Sequence, residues 1–187
     1  MRWQQLFADL QAQFEEEEAA GVRAESASRT RAEVGAIRLA DRLAGSVGLR
    51  VGLGCGAAGT VSGVLVDVGI DWLLLEDAGR EDLVALACVR TVSGLGRRTV
   101  APEPQGHVRA RLDLRHALRG LARDRAAVQM VLEDGGVLTG TVDRVGADYV
   151  ELAEHALGEA RRAEAVQGVR AVVITAIAVV RTMPPGL

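Results

Sequence analysis

Lysine and asparagine are absent from the 187 residues, and all 22 basic side chains are arginine. With so much Ala, Val and Gly, this reads as the coding bias of a GC-rich genome, so the missing lysine carries no functional message. Aromatic residues make up 3% of the chain, and there are three histidines and two cysteines. So thin an inventory argues against a haem pocket or a metal centre, which draw on those side chains. Cys55 and Cys88 form no C-x-x-C pair. Two cysteines in a chain this long are expected as buried, reduced thiols. The longest apolar run, Ala171 to Val180, is ten residues between Arg170 and Arg181. A membrane-spanning helix needs about 20. After Met1-Arg2-Trp3 the chain turns acidic and shows no apolar signal-peptide core. A cytoplasmic protein that does not enter a membrane is expected.

What is present is ordinary for a globular chain: 49% hydrophobic residues, 25% charged, and a net charge of −3. That length gives one large domain or two small ones. The net charge supplies no global attraction to nucleic acid or anionic lipid.

The informative feature is an internal repeat. Gly59-Thr-Val-Ser-Gly63-Val-Leu65-Val-Asp-Val68-Gly69-Ile-Asp71-Trp72-Leu-Leu-Leu75 returns, shifted by 77 residues, as Gly136 to Leu152. Gly59, Gly63, Val68, Gly69, Asp71 and Leu75 meet identical residues, and Trp72 meets Tyr149. Upstream, Val51-Gly-Leu53 faces Val128-Gln-Met130 at the same offset. Downstream, Leu86 to Val92 matches Ile174 to Val180 at an offset of 88, so the second copy carries an 11-residue insertion around 155–167.

Within each copy, short Val/Leu/Ile/Thr runs between glycines predict strands. They fall near 49–53, 60–68, 70–76, 82–87 and 88–92, and again near 127–133, 137–145, 147–153, 169–174 and 176–181. The Val-Gly-x-Asp sequences at 68–71 and 145–148 predict tight turns. A helix is expected before each copy, over 34–44 ending at Gly45 and over 112–123. The expected core comprises Val61, Leu65, Val68, Trp72, Leu74, Val89, Val92, Leu138, Val142, Val145, Tyr149, Val150, Leu152, Ile174 and Ile177. Residues 1–33 read as a helical extension, with Trp3, Leu6, Phe7, Leu10 and Phe14 on one amphipathic stripe. The organisation expected is therefore a 1–33 extension, a first small β domain over 34–96, a linker over 97–110 and a second over 111–183.

A helix followed by five short, bent strands, with glycine in strand two, resembles the Sm-like family of small barrels. Gly63-Val-Leu65 and Gly140-Thr-Val142 stand at that family's strand-two glycine, over roughly 34–93 and 111–182. The resemblance implies a mainly β fold with α: two tandem Sm-like, SH3-type five-stranded barrels, each preceded by a helix. It also implies RNA as a candidate partner and edge-strand pairing as a route to homo-oligomers. The family's RNA-base pocket uses an Asp after strand two and an Asn at the next strand. Here Gly69 and Gly146 stand at the Asp-like position and the chain has no Asn, so that pocket is not carried over. The whole chain also resembles an actinobacterial family labelled Fis-type transcriptional regulator. A helix-turn-helix near the C-terminus would go with that label, and Val169 to Val180 reads as strand instead.

Candidate chemistry is sparse. Gly54-Cys-Gly56-Ala-Ala-Gly59 fits G-x-G-x-x-G, but a dinucleotide site needs a helix next, and Thr60 to Val66 reads as strand. His107, His116 and His155 match no metal-site spacing and are expected at the surface. Asp71 and Asp148 sit at equivalent places in the two copies, which a turn role explains. No catalytic residue, metal site or cofactor is expected.

The strongest functional signal is the segment 107–125. It holds six arginines against Asp113 and Asp124, a local charge of +4 that leaves −7 for the rest. At about 100° per residue, Leu114, Ala117, Leu118, Leu121 and Ala122 share one arc. Arg109, Arg115, Arg119, Arg123 and His116 share the opposite one. Guanidinium forks suit phosphate oxygens, so these five residues form a candidate nucleic-acid-binding face. The competing reading is a solvated helix balanced by Glu76, Asp77, Glu81 and Asp82. The Trp3–Phe14 stripe is a candidate protein-docking surface, which favours the alternative of a protein-interaction scaffold. Residues 1–20 carry one Arg against five acids, which argues against membrane binding.

Overall fold

The computed structural model describes residues 34–99, 112–156 and 166–182, with isolated positions between 11 and 32. The chain divides into two compact units, Met1–Arg38 and Leu39–Leu187. In the first, the described positions from Gln11 to Ala36 are helical. Trp3, Leu6, Phe7, Leu10 and Phe14 lie outside the described residues.

The second unit is mainly β. Helix α1 (Leu39–Ala44) leads the first repeat, followed by β1 (Arg50–Gly54), β2 (Thr60–Val68), β3 (Trp72–Asp77), β4 (Arg80–Ala85) and β5 (Thr91–Ser93). Helix α2 (Leu114–Asp124) leads the second, followed by β6 (Ala127–Leu132), β7 (Val137–Val145), β8 (Tyr149–Glu154), β9 (Gly168–Val173) and β10 (Ile177–Thr182). These lie on the strands expected from the sequence. The strand expected over 88–92 is shortened, because residues 86–88 form a 3₁₀ turn in which Val89 N–H donates to Leu86 O at 3.2 Å. The helix over 39–44 is shorter than the 34–44 expected, but stops before Gly45. A Cβ there would come within 2.6 Å of the Arg98 carbonyl.

The repeat is visible in the register itself. β1 pairs with β2 through Val51↔Gly63, and β6 pairs with β7 through Val128↔Gly140, 77 residues on. β2 shifts register between Leu65 and Asp67 against β3, and β7 shifts between Val142 and Arg144 against β8. A bulge at the same place bends each nine-residue strand. Glycine precedes both bends for lack of room: a Cβ on Gly63 would meet the Glu76 carbonyl at 2.7 Å, and one on Gly140 the Ala153 carbonyl. The insertion falls between β8 and β9. The first repeat closes the same hairpin with two residues, Ala78 and Gly79, both at positive φ.

The two repeats do not make two independently closed barrels. All ten strands form one open, hydrogen-bonded order, β5-β1-β2-β3-β4-β10-β6-β7-β8-β9. The joint is β10, which pairs antiparallel with β6 of its own repeat and with β4 of the other. There Leu83 meets Val180 and Asp82 meets Arg181. Ala178, Val179 and Val180 are fully buried, as is Val84. Asp82 is buried too, and lies 3.1 Å from Arg80 and 3.4 Å from Arg181. The Arg181 contact is an ion pair without an aligned hydrogen bond; Arg181 instead donates to the Gln129 amide oxygen at 3.1 Å.

Of the expected core, Val61, Leu65, Trp72, Val142, Val150, Leu152 and Ile177 are buried, and Val68, Leu74, Val89, Val92, Leu138, Val145 and Ile174 pack against them half-buried. Tyr149 is the correction, at 39% exposed where its counterpart Trp72 is 8% exposed. Both rings lie over the glycine three residues before, Gly69 and Gly146. Among the described residues, only Trp72 is also covered by the approach to α2, donating from its indole Nε1 to the Leu112 carbonyl at 2.8 Å. Both cysteines are free and buried, as expected.

Removing the Asp82 carboxylate leaves Arg80 and Arg181 facing each other in the joint. Both arginines keep some contact with water, so Asp82→Ala should cost about 2 kcal/mol rather than the full penalty of a dry pair. The midpoint of urea unfolding measures it, and Glu76→Ala serves as the surface control.

Candidate nucleic-acid interface

Helix α2 forms where an N-cap, an apolar arc and a stop coincide. Asp113 takes extended backbone angles, and its carboxylate accepts the His116 N–H at 2.8 Å. The helix ends at Arg125, which sits in the left-handed region with φ 52°. The Ala126 N–H reaches back to the Leu121 carbonyl at 3.3 Å, a closure of the Schellman type. Leu114 and Leu118 are buried in the core, and Ala117, Leu121 and Ala122 pack against it half-buried. The helix therefore seats the arc that its sequence predicts.

The first repeat grips the start of this helix. The Asp71 carboxylate accepts the Leu114 N–H at 2.7 Å, and Trp72 holds the Leu112 carbonyl. The Asp71 carbonyl also accepts Leu86 N–H at 2.8 Å, as Asp148 does from Ile174 N–H at 2.8 Å. Both carbonyls thus tie the start of β3 or β8 to the 3₁₀ segment that follows β4 or β9. Asp71 alone of the two also reaches a described helix, and the side chain that does so follows no local sequence rule.

On the outer face Arg115, Arg119 and Arg123 stand four residues apart, on one stripe, and His116 lies beside them. Arg115 is half-buried and approaches Asp113 at 3.6 Å. The His116 ring Nδ1 lies 2.9 Å from the same carboxylate. Arg123 is 82% exposed and, among the described residues, pairs only with its neighbour Asp124, at 3.5 Å. Arg119 is exposed and has no partner among the described residues. Arg109 and His107 lie outside the described residues. Two of the four acids that could neutralise such a face are engaged elsewhere. Asp77 pairs with Arg50 at 3.0 Å, and Asp82 with Arg80 and Arg181.

His155 is not at the surface as expected. It is buried, with Nε2 2.8 Å from the Thr141 hydroxyl and Nδ1 2.9 Å from the Ala156 carbonyl. Its backbone N–H also donates to Thr139 O at 3.2 Å. Those partners pin the start of the insertion to β7. The glycine-rich Gly54–Gly59 segment leads through a 3₁₀ turn into β2, without the helix that a dinucleotide site requires. Among the described residues no three His, Cys, Asp or Glu side chains cluster as metal ligands, and no helix is long and apolar enough to cross a membrane. No known family and no curated protein matches the chain.

Burial pushes the Asp113 carboxyl up, but the bonds from the His116 ring and backbone, with the Arg115 charge, outweigh it and hold the group below its ordinary value. A depressed folded-state value favours the ionised, capping form. Its contribution is complete above the unfolded carboxylate value of about 3.9 and is lost as pH falls through the lower folded one. Asp113→Ala should cost about 1 kcal/mol at neutral pH. It should also flatten the acid limb of a stability–pH profile, measured by thermal melting between pH 2 and 7.

Proposed function

We propose that the chain is a non-enzymatic RNA-binding adaptor built on a tandem Sm-like scaffold, and that it engages the phosphate backbone through the outer face of α2. The observation that carries this reading is the stripe Arg115–Arg119–Arg123. It is fixed to the sheet by Leu114 and Leu118, and Arg119 is left without a partner among the described residues. Five antiparallel strands in each repeat, with a bulged long second strand, support the Sm-like resemblance. No aromatic side chain is interleaved with the arginines to stack bases, so binding is backbone-driven and sequence-tolerant. Arg109, outside the described residues, and His116, beside Arg115 and Arg119, extend the face in this reading.

A second reading, a protein-interaction scaffold, is favoured by the apolar edge at the end of the sheet, where Val169 and Val173 are exposed.

Three phosphate contacts to single-stranded RNA give a log–log salt slope of about −2. Fluorescence anisotropy with a labelled RNA should show that slope for the native chain. Arg115→Glu, Arg119→Glu and Arg123→Glu together should abolish binding while the circular dichroism spectrum is unchanged. Undiminished affinity in the triple variant would remove the assignment.

A further inference from the structure

The chain has two cysteines, and the fold brings them together. Cys55 directly follows β1, and Cys88 ends the 3₁₀ turn that leads to β5. Those strands pair as far as Gly54↔Thr91, and the Arg90 N–H donates to the Gly54 carbonyl at 2.8 Å. Both thiols lie in one apolar core, at 2% and 3% exposed, within hydrogen-bond reach of each other. We propose that Cys55 and Cys88 are a redox-active dithiol, which hydrogen peroxide closes to a disulfide and a thiol reductant reopens.

Packing does not require sulfur at these places. At the offsets that align the repeats, Leu132 stands for Cys55 and Ala176 for Cys88. The second repeat builds the same strand end and the same 3₁₀ turn without a thiol. The first repeat places a cysteine at both.

The two sulfurs are not equivalent. Cys88 Sγ lies 3.0 Å from the Ala85 carbonyl and 3.4 Å from the Ala178 carbonyl, so acceptors surround its proton. Cys55 Sγ lies 3.9 Å from the Leu53 carbonyl and takes a hydrogen bond from Cys88. That bond, with the charges of Arg90 and Arg181, outweighs burial and holds the Cys55 thiol below its ordinary value. Giving the bond, together with burial and the facing Cys55 charge, pushes Cys88 up. The thiolate is the nucleophile, so Cys55 attacks and Cys88 resolves. The path to Cys55 is short. Gly56 and Ala57 follow it in an exposed turn whose largest side chain is a methyl group. Ala58 N–H to the Cys55 carbonyl at 3.1 Å and Gly59 N–H to the Gly56 carbonyl at 3.0 Å close that turn. Local opening of so small a unit admits a molecule of the size of peroxide.

The chemistry runs in two steps. Cys55 sulfur attacks one peroxide oxygen: an S–O bond forms, the O–O bond breaks, and hydroxide leaves and takes a proton as water. The Cys55 sulfenic acid no longer carries the charge that kept Cys88 protonated. Cys88 sulfur then attacks the Cys55 sulfur: the S–S bond forms, the S–O bond breaks, and hydroxide leaves with the Cys88 proton as a second water. The two sulfurs together give up two electrons, which reduce one peroxide to two waters.

The inference does not rest on the RNA reading. The full native chain is treated with hydrogen peroxide at neutral pH, and its cysteine peptides are read by mass spectrometry, so oxidised methionine does not enter. The expected result is an intramolecular link between Cys55 and Cys88, a loss of two hydrogens that dithiothreitol restores, with the circular dichroism spectrum unchanged. Cys88→Ala, which takes the residue of the second repeat, should stop at the Cys55 sulfenic acid and be labelled there by dimedone. Cys55→Leu, made on the same logic, should give no label at Cys88, and a label there overturns the division of roles. A native chain that keeps both thiols under peroxide overturns the proposal. So does one that gains oxygen at Cys55 or Cys88 in place of the link, or that links only between chains. That native-chain result needs no variant to fold.

Discussion

Everything in the second unit hangs on one strand having two partners. β10 closes its own repeat against β6 and, along its other edge, joins the first repeat at β4. An unpaired edge strand exposes a row of donors and acceptors, and each repeat taken alone would leave its fourth strand in that state. Pairing β4 with β10 satisfies one such row. It also buries Val84 and Val180, and with them the Asp82 carboxylate between Arg80 and Arg181. That carboxylate and Arg181 form a buried ion pair beside the apolar contacts of the seam. A buried charge tolerates only the neighbour that neutralises it, so the pair fixes register where aliphatic contacts alone would permit a slip of two residues.

Much of this architecture is legible in the chain because the repeat is periodic in structure as well as in sequence. The offset of 77 residues that aligns Gly63 with Gly140 also aligns the two bulges and both Gly-x-Asp-aromatic turns. The jump to an offset of 88 places the insertion at the β8–β9 hairpin. These features are local. A glycine beneath an aromatic ring, or a strand too close to a carbonyl to admit a Cβ, leaves its mark within a few residues of the constraint. The arc of α2 is local in the same sense, and its leucines face the core as their spacing implies.

The rest is not legible because it is set by partners far away in the chain. Nothing in Asp82-Leu-Val-Ala says that its partner lies in the last strand of the other repeat, so two separate barrels are the natural expectation. The hold of Asp71 on Leu114 is equally invisible, since the same Asp appears at 148 with no described helix to cap. Tyr149 and His155 show the converse. Their types suggest a core ring and a surface imidazole, and tertiary context exchanges the two: no segment among the described residues covers Tyr149, while Thr141 receives His155.

The differences between the repeats carry more functional information than their likeness. The first repeat keeps a short hairpin and uses the Asp71–Trp72 turn to hold the second repeat's helix. The second lengthens that hairpin and leaves its aromatic open. A helix anchored at its N-terminus by one repeat and along its apolar arc by the other cannot rotate about its own axis. The outward direction of Arg115, Arg119 and Arg123 is therefore a property of the fused pair and not of either module. Under the proposed RNA-binding reading, the backbone ordering that a flexible basic tail would need on binding is already met.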